Sequence, residues 1–420
     1  MLHKFPYKGF PSIELPDGSI AGIYKPAEYS QDDNESKIFE KALVNTIGSE
    51  PLDRIVQAGM KIVIVVDDIT RSTKTELMLP PVLKWLKGAK IGNEDISIFV
   101  ALGTHRQMTE QEIRLKYTDE AAENHRIINP DWKKGEDYET IEKSDDGFEI
   151  KVHKEILKAD FVIGLGQAVP HMYAGFGGGG KIINPGCCEE QTIGQMHWLG
   201  HTVPTEKRFG VRENKVRALI DDVAIKCGLK FILNEVPNQD GTIAKAFAGD
   251  PIKAHSQACR FAAELYCVKV KQGDIVIADS YPADIDLWQS IKAMYSAHFA
   301  VKKGGTLIFV TPSPEKISSQ HPEIIDIGYK CGFEQIEKLV GAGRLSKVVA
   351  ANVWAGNEIT QHCQVIIVSG GISKKETQTI GFDWAASPQH ALAEAMKRHG
   401  KDAKINVLCG ASKIICQVQS

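Results

Sequence analysis

The chain is 420 residues long, beyond the roughly 250–300 residues at which single hydrophobic cores stop growing, so two domains are expected. Its 43% apolar and 25% charged residues are those of a soluble globular protein, and no run approaches the ~20 apolar residues of a membrane span, which argues against membrane insertion. A net charge of −3 leaves no basic footprint for nucleic acid, and nine cysteines without a CxxC spacing read as reduced thiols rather than a disulfide or zinc framework.

In chain order, Met1 to Phe10 has no apolar core before a small-residue cleavage site, so no secretory signal is expected and the cytoplasm is the expected location. Beyond it, β-branched apolar runs alternate with longer amphipathic stretches, the pattern of mostly parallel sheets covered by helices, and both halves read as α/β. The first half carries strands at 61–66, 96–101 and 160–165 and helices at 77–86, 109–117 and 214–227, closed by a helix at 251–266. Pro80 and Pro81 fit the helix 77–86 only in its first turn. The polar segment 268–274 is the expected boundary, giving domains of 1–270 and 271–420. The second half carries strands at 275–278, 306–310, 364–368 and 404–408 and helices at 286–301, 322–331 and 388–399, and the last twenty residues could stay there or return to the first domain.

Three constellations sit where strands end, the place at which open α/β sheets bind ligands. Asp67-Asp68-Ile69-Thr70-Arg71 follows the strand 61–66: an Arg there can clamp a carboxylate or phosphate through two parallel hydrogen bonds, while Asp or Thr can bind a ribose or simply cap the next helix. Gly103-Thr104-His105 follows the strand 96–101, and a His beyond a turning Gly is placed for general base work, provided that it has partners. The third is the run from Pro170 through His171 and the glycines 175 and 177–180 to Lys181 and Pro185-Gly186. Gly175, Gly180 and Lys181 meet the GxxxxGK spacing, but Ile182 stands where a P-loop needs Ser or Thr for magnesium, which disfavours a nucleoside triphosphatase. Gly178, Gly179 and Gly180 still imply a backbone that can approach an anion closely, and a flexible linker would not continue into Ile182, Ile183 and Pro185. His197 and His201 lie four apart on a helix over 191–201; a zincin needs Glu after the first His, and Trp198 stands there, so zinc hydrolysis is the weakest alternative.

Taken together these residues resemble the lactate racemase family, most specifically in the order His, glycine-rich loop, Lys, Pro-Gly, His between Pro170 and His197. The resemblance implies a racemase or epimerase of small 2-hydroxy acids, lactate or a related acid such as malate, working by hydride transfer to a nickel-pincer nucleotide. That cofactor is a pyridinium mononucleotide whose two sulfur-containing arms hold nickel, so proteins that synthesise it are implied partners. By the same resemblance Lys181 carries the cofactor covalently, His197 is the protein ligand of nickel, and His105 and His171 are the catalytic bases. Asp68, Ile69, Thr70 and Arg71 contact cofactor and substrate, while Gln289 and Lys292 bind substrate from the second domain, across a cleft. Trp288 stands where the family has tyrosine, and Trp354 is the nearest match to a later active-site tryptophan.

Two other classes remain. A nicotinamide-dependent 2-hydroxy acid dehydrogenase shares the hydride logic, but no GxGxxG opens a helix after a strand with an acidic residue ~20 positions on. A non-catalytic anion- or nucleotide-binding protein could use Arg71 and the glycines, but would leave two histidine bases, a metal ligand and a reactive lysine without a task.

Overall fold

The computed structural model describes residues 1–30, 33–143 and 148–419. They form two compact units, one continuous over Glu28–Leu265 and one assembled from Met1–Ala27 and Tyr266–Ser420. The first strand of the two large sheets, β1 (Ile20–Tyr24), thus belongs with the C-terminal half. This corrects the expected 1–270 domain, and the reason is burial: Phe5, Ile13 and Leu15 pack into the core formed by Ile275, Ile277, Ile308 and Ile366.

The sheet of the continuous unit contains β2 (Ile62–Asp67), β3 (Ile96–Ala101), β4 (Arg126–Ile128), β5 (Phe161–Gln167), β6 (Leu229–Pro237) and β7 (Ile243–Gly249), in the order β7-β6-β5-β2-β3-β4. All neighbours run parallel except β7 against β6. Burial on both faces explains the unbroken apolar runs of β2 and β5. The chain leaves β2 toward β3 on one side and returns to β5 on the other, so the strand order reverses between the carboxyl ends of β2 and β5. A sheet opens a binding crevice at such a reversal.

The other unit contains β8 (Gly273–Asp279), β9 (Val301–Thr311), β10 (Gln364–Ser369), β11 (Asp383–Trp384) and β12 (Ile405–Leu408), in the all-parallel order β11-β10-β9-β8-β12-β1. The expected polar boundary is instead partly a strand: Cys267–Val270 pairs in parallel with Ile415–Val418. That pairing keeps the end of the chain in the C-terminal unit.

Helix ends follow local chemistry. Thr109 and Glu112 form a reciprocal capping box before the helix Glu110–Tyr117, and Asn214 caps Lys215–Lys226. Two expectations are corrected. The helix Thr75–Gly88 starts earlier than expected and carries Pro80 and Pro81 inside it, and the helix expected over 322–331 is only Glu323–Ile327, ended by Gly328 at φ 67°. Among the described residues no helix is long and apolar enough to cross a membrane.

Candidate active site

Both strands at the reversal deliver polar residues to it. Past the end of β2, Asp68 turns the chain by accepting the Thr70 backbone N–H at 2.7 Å and the Thr70 hydroxyl at 2.5 Å, while Arg71 Nη1 donates to the same hydroxyl at 2.9 Å. His105, reached from the end of β3, places Nδ1 2.5 Å from the other Asp68 oxygen. Burial alone would raise the Asp68 carboxyl, but His105, Arg71 and the Thr70 hydrogen bond outweigh it and hold the group well below the usual carboxylate range. Its neighbour Asp67, bonded by Thr73 Oγ1 at 2.7 Å, is pushed up by burial despite Arg71. Two adjacent carboxyls are thereby set to different tasks.

The Asp68 contact fixes the His105 tautomer. A carboxylate at Nδ1 accepts a hydrogen bond from Nδ1–H, so the neutral ring keeps its lone pair at Nε2, the arrangement of an oriented general base. Ile69, expected beside the cofactor, packs its side chain against the hydrophobic core, which leaves its backbone for any such contact.

Beyond β5 the chain makes a small antiparallel ribbon, Pro170–His171 with Gly175–Phe176, and then a 3-10 turn over Gly179–Ile182. The sequence pattern pointed to glycine amides approaching an anion. The structure adds a separate reason for the glycines, namely packing. A Cβ on Gly178 would lie 2.6 Å from Asn234 Oδ1 and one on Gly179 2.6 Å from the His255 ring, and both residues have positive φ. Asn234 Oδ1 also accepts the Gly179 N–H at 2.8 Å, and His255 Nε2 donates to the Gly177 carbonyl at 2.8 Å.

The turn holds Lys181. Some of its surface is accessible, yet protein crowds it closely, and its amine makes no hydrogen bond or ion pair with the described residues. Burial, with the Arg71 and Arg217 charges, lowers its pKa to about 7 against the opposing pull of Asp67 and Asp68. Such an amine is a nucleophile near neutrality.

His171 and His197 come together, with ring centroids 6.4 Å apart, and Tyr173 lies 5.8 Å from His197. His197 sits in the helix Glu190–His201 and donates Nδ1–H to the Ile193 carbonyl at 2.9 Å, which leaves Nε2 as lone pair. An imidazole oriented by a carbonyl in this way is suited to bind a metal. Among the described residues no three or more His, Cys, Asp or Glu side chains gather as a metal site. The His197 imidazole and the Lys181 amine are thus groups that could hold a metal or a cofactor here.

The remaining expected residues lie in the C-terminal unit. Asp286 caps the helix Leu287–Ala297, where Lys292 Nζ donates to the buried Gln289 Oε1 at 2.5 Å. Trp288 stacks on His321 at 4.3 Å, and its carbonyl accepts Asn352 Nδ2 at 3.5 Å from the helix Lys347–His362, on which Trp354 packs against Phe333. Sequence reasoning missed Arg208, Arg217 and Lys116. A buried Arg or Lys carries no sequence signal that separates it from a solvated one.

A model of the lactate racemase N-terminal domain matches residues 8–209, and one of the lactate racemase C-terminal domain matches residues 268–416. A lactate racemase of Thermoanaerobacterium thermosaccharolyticum is 34% identical over 311 residues, 73% of each chain. Another, of Lactiplantibacillus plantarum, is 28% identical over 408 residues, 94% of this chain and 95% of that one. The solved lactate racemase apoprotein of T. thermosaccharolyticum superposes with a TM-score of 0.87 at 29% identity, covering 99% of this chain and 100% of that one. Fold, site and relatives define an isomerase of the racemase class, built of two α/β units with mostly parallel sheets. The chain belongs to the lactate racemase family, which implies a nickel-dependent enzyme acting on a small molecule.

Proposed function

We propose that the protein inverts the C2 centre of a small 2-hydroxy acid, lactate or a related acid such as malate, using a nickel-pincer nucleotide attached at Lys181. The bound cofactor would supply a hydride acceptor, which replaces abstraction of a weakly acidic α-proton. His105 Nε2 takes the hydroxyl proton, and Asp68 stabilises the imidazolium that results. His171 serves the oxygen of the mirror-related pose. Arg71 binds the substrate carboxylate, orientation of this kind being worth orders of magnitude in rate, and Lys292, Gln289, Trp288 and Trp354 are the substrate-binding residues that the C-terminal unit offers. Asp68, Ile69, Thr70 and the glycines 178–180 hold the cofactor. His197 Nε2 would hold the nickel, imidazole being among the ligands that suit that metal.

The observation that carries this reading is the Lys181 amine, closely surrounded, without a hydrogen bond or ion pair among the described residues, and with its pKa lowered to about 7. Intact-mass and metal analysis of protein from a host that makes the cofactor, followed by an enantiomer screen of 2-hydroxy acids, tests it. A mass increment on Lys181 with stoichiometric nickel and interconversion of enantiomers is expected. An unmodified, nickel-free chain from that host would return the dehydrogenase and binding-protein readings.

A further inference from the structure

Every second carbonyl from Met172 to Gly178 is held by a buried guanidinium. Arg208 Nη1 donates to Met172 O at 2.6 Å, and Arg217 donates to Ala174 O at 3.3 Å, to Gly178 O at 3.2 Å and to Phe176 O. Arg208 is 1% exposed and Arg217 fully buried. Burying a guanidinium costs several kcal/mol unless its donors are satisfied, so their convergence on one short ribbon calls for a reason. Arg208 also donates through Nε to Val203 O at 2.9 Å and through Nη2 to Thr205 Oγ1 at 3.2 Å, and it lies 5.0 Å over the Tyr173 ring.

One of these contacts reaches a proton-transfer group. The Met172 carbonyl and the Tyr173 N–H are the two ends of a single planar peptide. Arg208 holds the oxygen end, and the N–H end points at His171 Nδ1 from 3.2 Å. The Ala174 N–H reaches the same nitrogen, also at 3.2 Å. A ring nitrogen that receives two N–H groups must present its lone pair, so the neutral His171 ring carries its proton at Nε2. A cation at the carbonyl end fixes the peptide's orientation and polarises its N–H, as in any chain of hydrogen bonds.

We propose that Arg208 is a positioning residue for proton transfer, holding His171 in its Nε2–H form through the Met172–Tyr173 peptide. His105, with Asp68 at Nδ1, is held in the opposite tautomer. The two rings therefore offer unlike ends, a lone pair at His105 Nε2 and an N–H at His171 Nε2. His105 takes the hydroxyl proton and returns it when hydride comes back, while neutral His171, which would become an imidazolate if it lost its proton, donates a hydrogen bond from Nε2–H to the oxygen in the mirror pose. The functional meaning rests on the reading of His171 as a group that meets the substrate oxygen; the tautomer itself does not.

Histidine-selective 15N labelling of the full chain, with long-range 1H–15N correlations, reads the tautomer without substrate or turnover. The wild-type spectrum is expected to show His171 unprotonated at Nδ1 and protonated at Nε2, with His105 the reverse. Arg208→Lys keeps a charge but not the planar fork that spans Val203 and Met172. It is expected to mix the His171 tautomers, leave His105 unchanged, and lower kcat by about tenfold or more with little change in KM. A wild-type His171 protonated at Nδ1, or an Arg208→Lys spectrum identical to wild type, would overturn the proposal. If Arg208→Lys does not fold, Thr205→Val loosens the guanidinium from one side; a smaller His171 shift in the same direction is expected, and none would count against the relay. Full activity in His171→Ala would instead remove the proton-transfer reading while leaving the tautomer result standing.

Discussion

Lys181 has its chemistry strongly altered by its surroundings, and the alteration can be measured without cofactor. With its pKa near 7 the amine is mostly ammonium below that pH and mostly free base above it, whereas an exposed lysine stays charged to about 10. Competitive acylation of the cofactor-free chain, followed by peptide mass spectrometry, is expected to label Lys181 half-maximally near pH 7. Arg71→Gln removes a cation that disfavours the ammonium, so the midpoint should move upward. An unmoved midpoint would assign the shift to burial, the largest cause, and to Arg217. Asp68→Asn, which leaves His105 without a charge to oppose its imidazolium, is expected to lower kcat by about 10²–10⁴-fold with KM little changed. These residues were legible because each stands just past a strand end beside Gly, Thr or another acid. Arg208 and Arg217 were not, because their role depends on which carbonyls the tertiary fold brings to them.

The last turn of the helix Glu110–Tyr117 holds the Asp67–Thr73 segment. Lys116 Nζ donates to Arg71 O and Thr73 O, both at 2.6 Å, and Tyr117 OH donates to Asp67 O at 2.7 Å. Lys116→Met removes a side-chain donor shared by two backbone carbonyls, and stability is expected to fall by about 1–3 kcal/mol in chemical denaturation. Amide exchange over residues 68–73 should quicken more than that of β2; equal acceleration would mean that Lys116 serves the core and not the loop. At this scale β2, β3, β5, β8, β9, β10 and β12 were legible from their apolar runs. β6 was not, because Asn234 and Glu235 interrupt its run with polar groups that serve the site: Asn234 accepts from Gly179, and Glu235 accepts the Lys74 N–H at 3.3 Å. Functional polar residues in a central strand hide it from a periodicity argument.

The chain builds one unit from a continuous stretch and the other from both of its ends, which separates their dependence on the first 27 residues. Every group named as setting the Lys181 amine, Arg71, Arg217, Asp67 and Asp68, lies within Glu28–Leu265. That unit alone is expected to melt cooperatively and to keep its labelling midpoint near pH 7. The stretch 266–420 alone should behave differently. It loses β1, which leaves β12 as a bare edge, and it loses Phe5, Ile13 and Leu15 from its core, at about 1.5–3 kcal/mol for each buried side chain. Such a loss is a large part of the ~5–15 kcal/mol that holds a domain together, so the fragment is expected to aggregate on size exclusion and to recover when residues 1–27 are supplied as a peptide. The sequence hid this closure because Ile20–Tyr24 is five residues long and set among polar ones, a strand only once its partner β12, nearly four hundred residues away, has formed. A fragment 266–420 that stayed monomeric and cooperative without the peptide would show that β1 decorates the sheet rather than completing it.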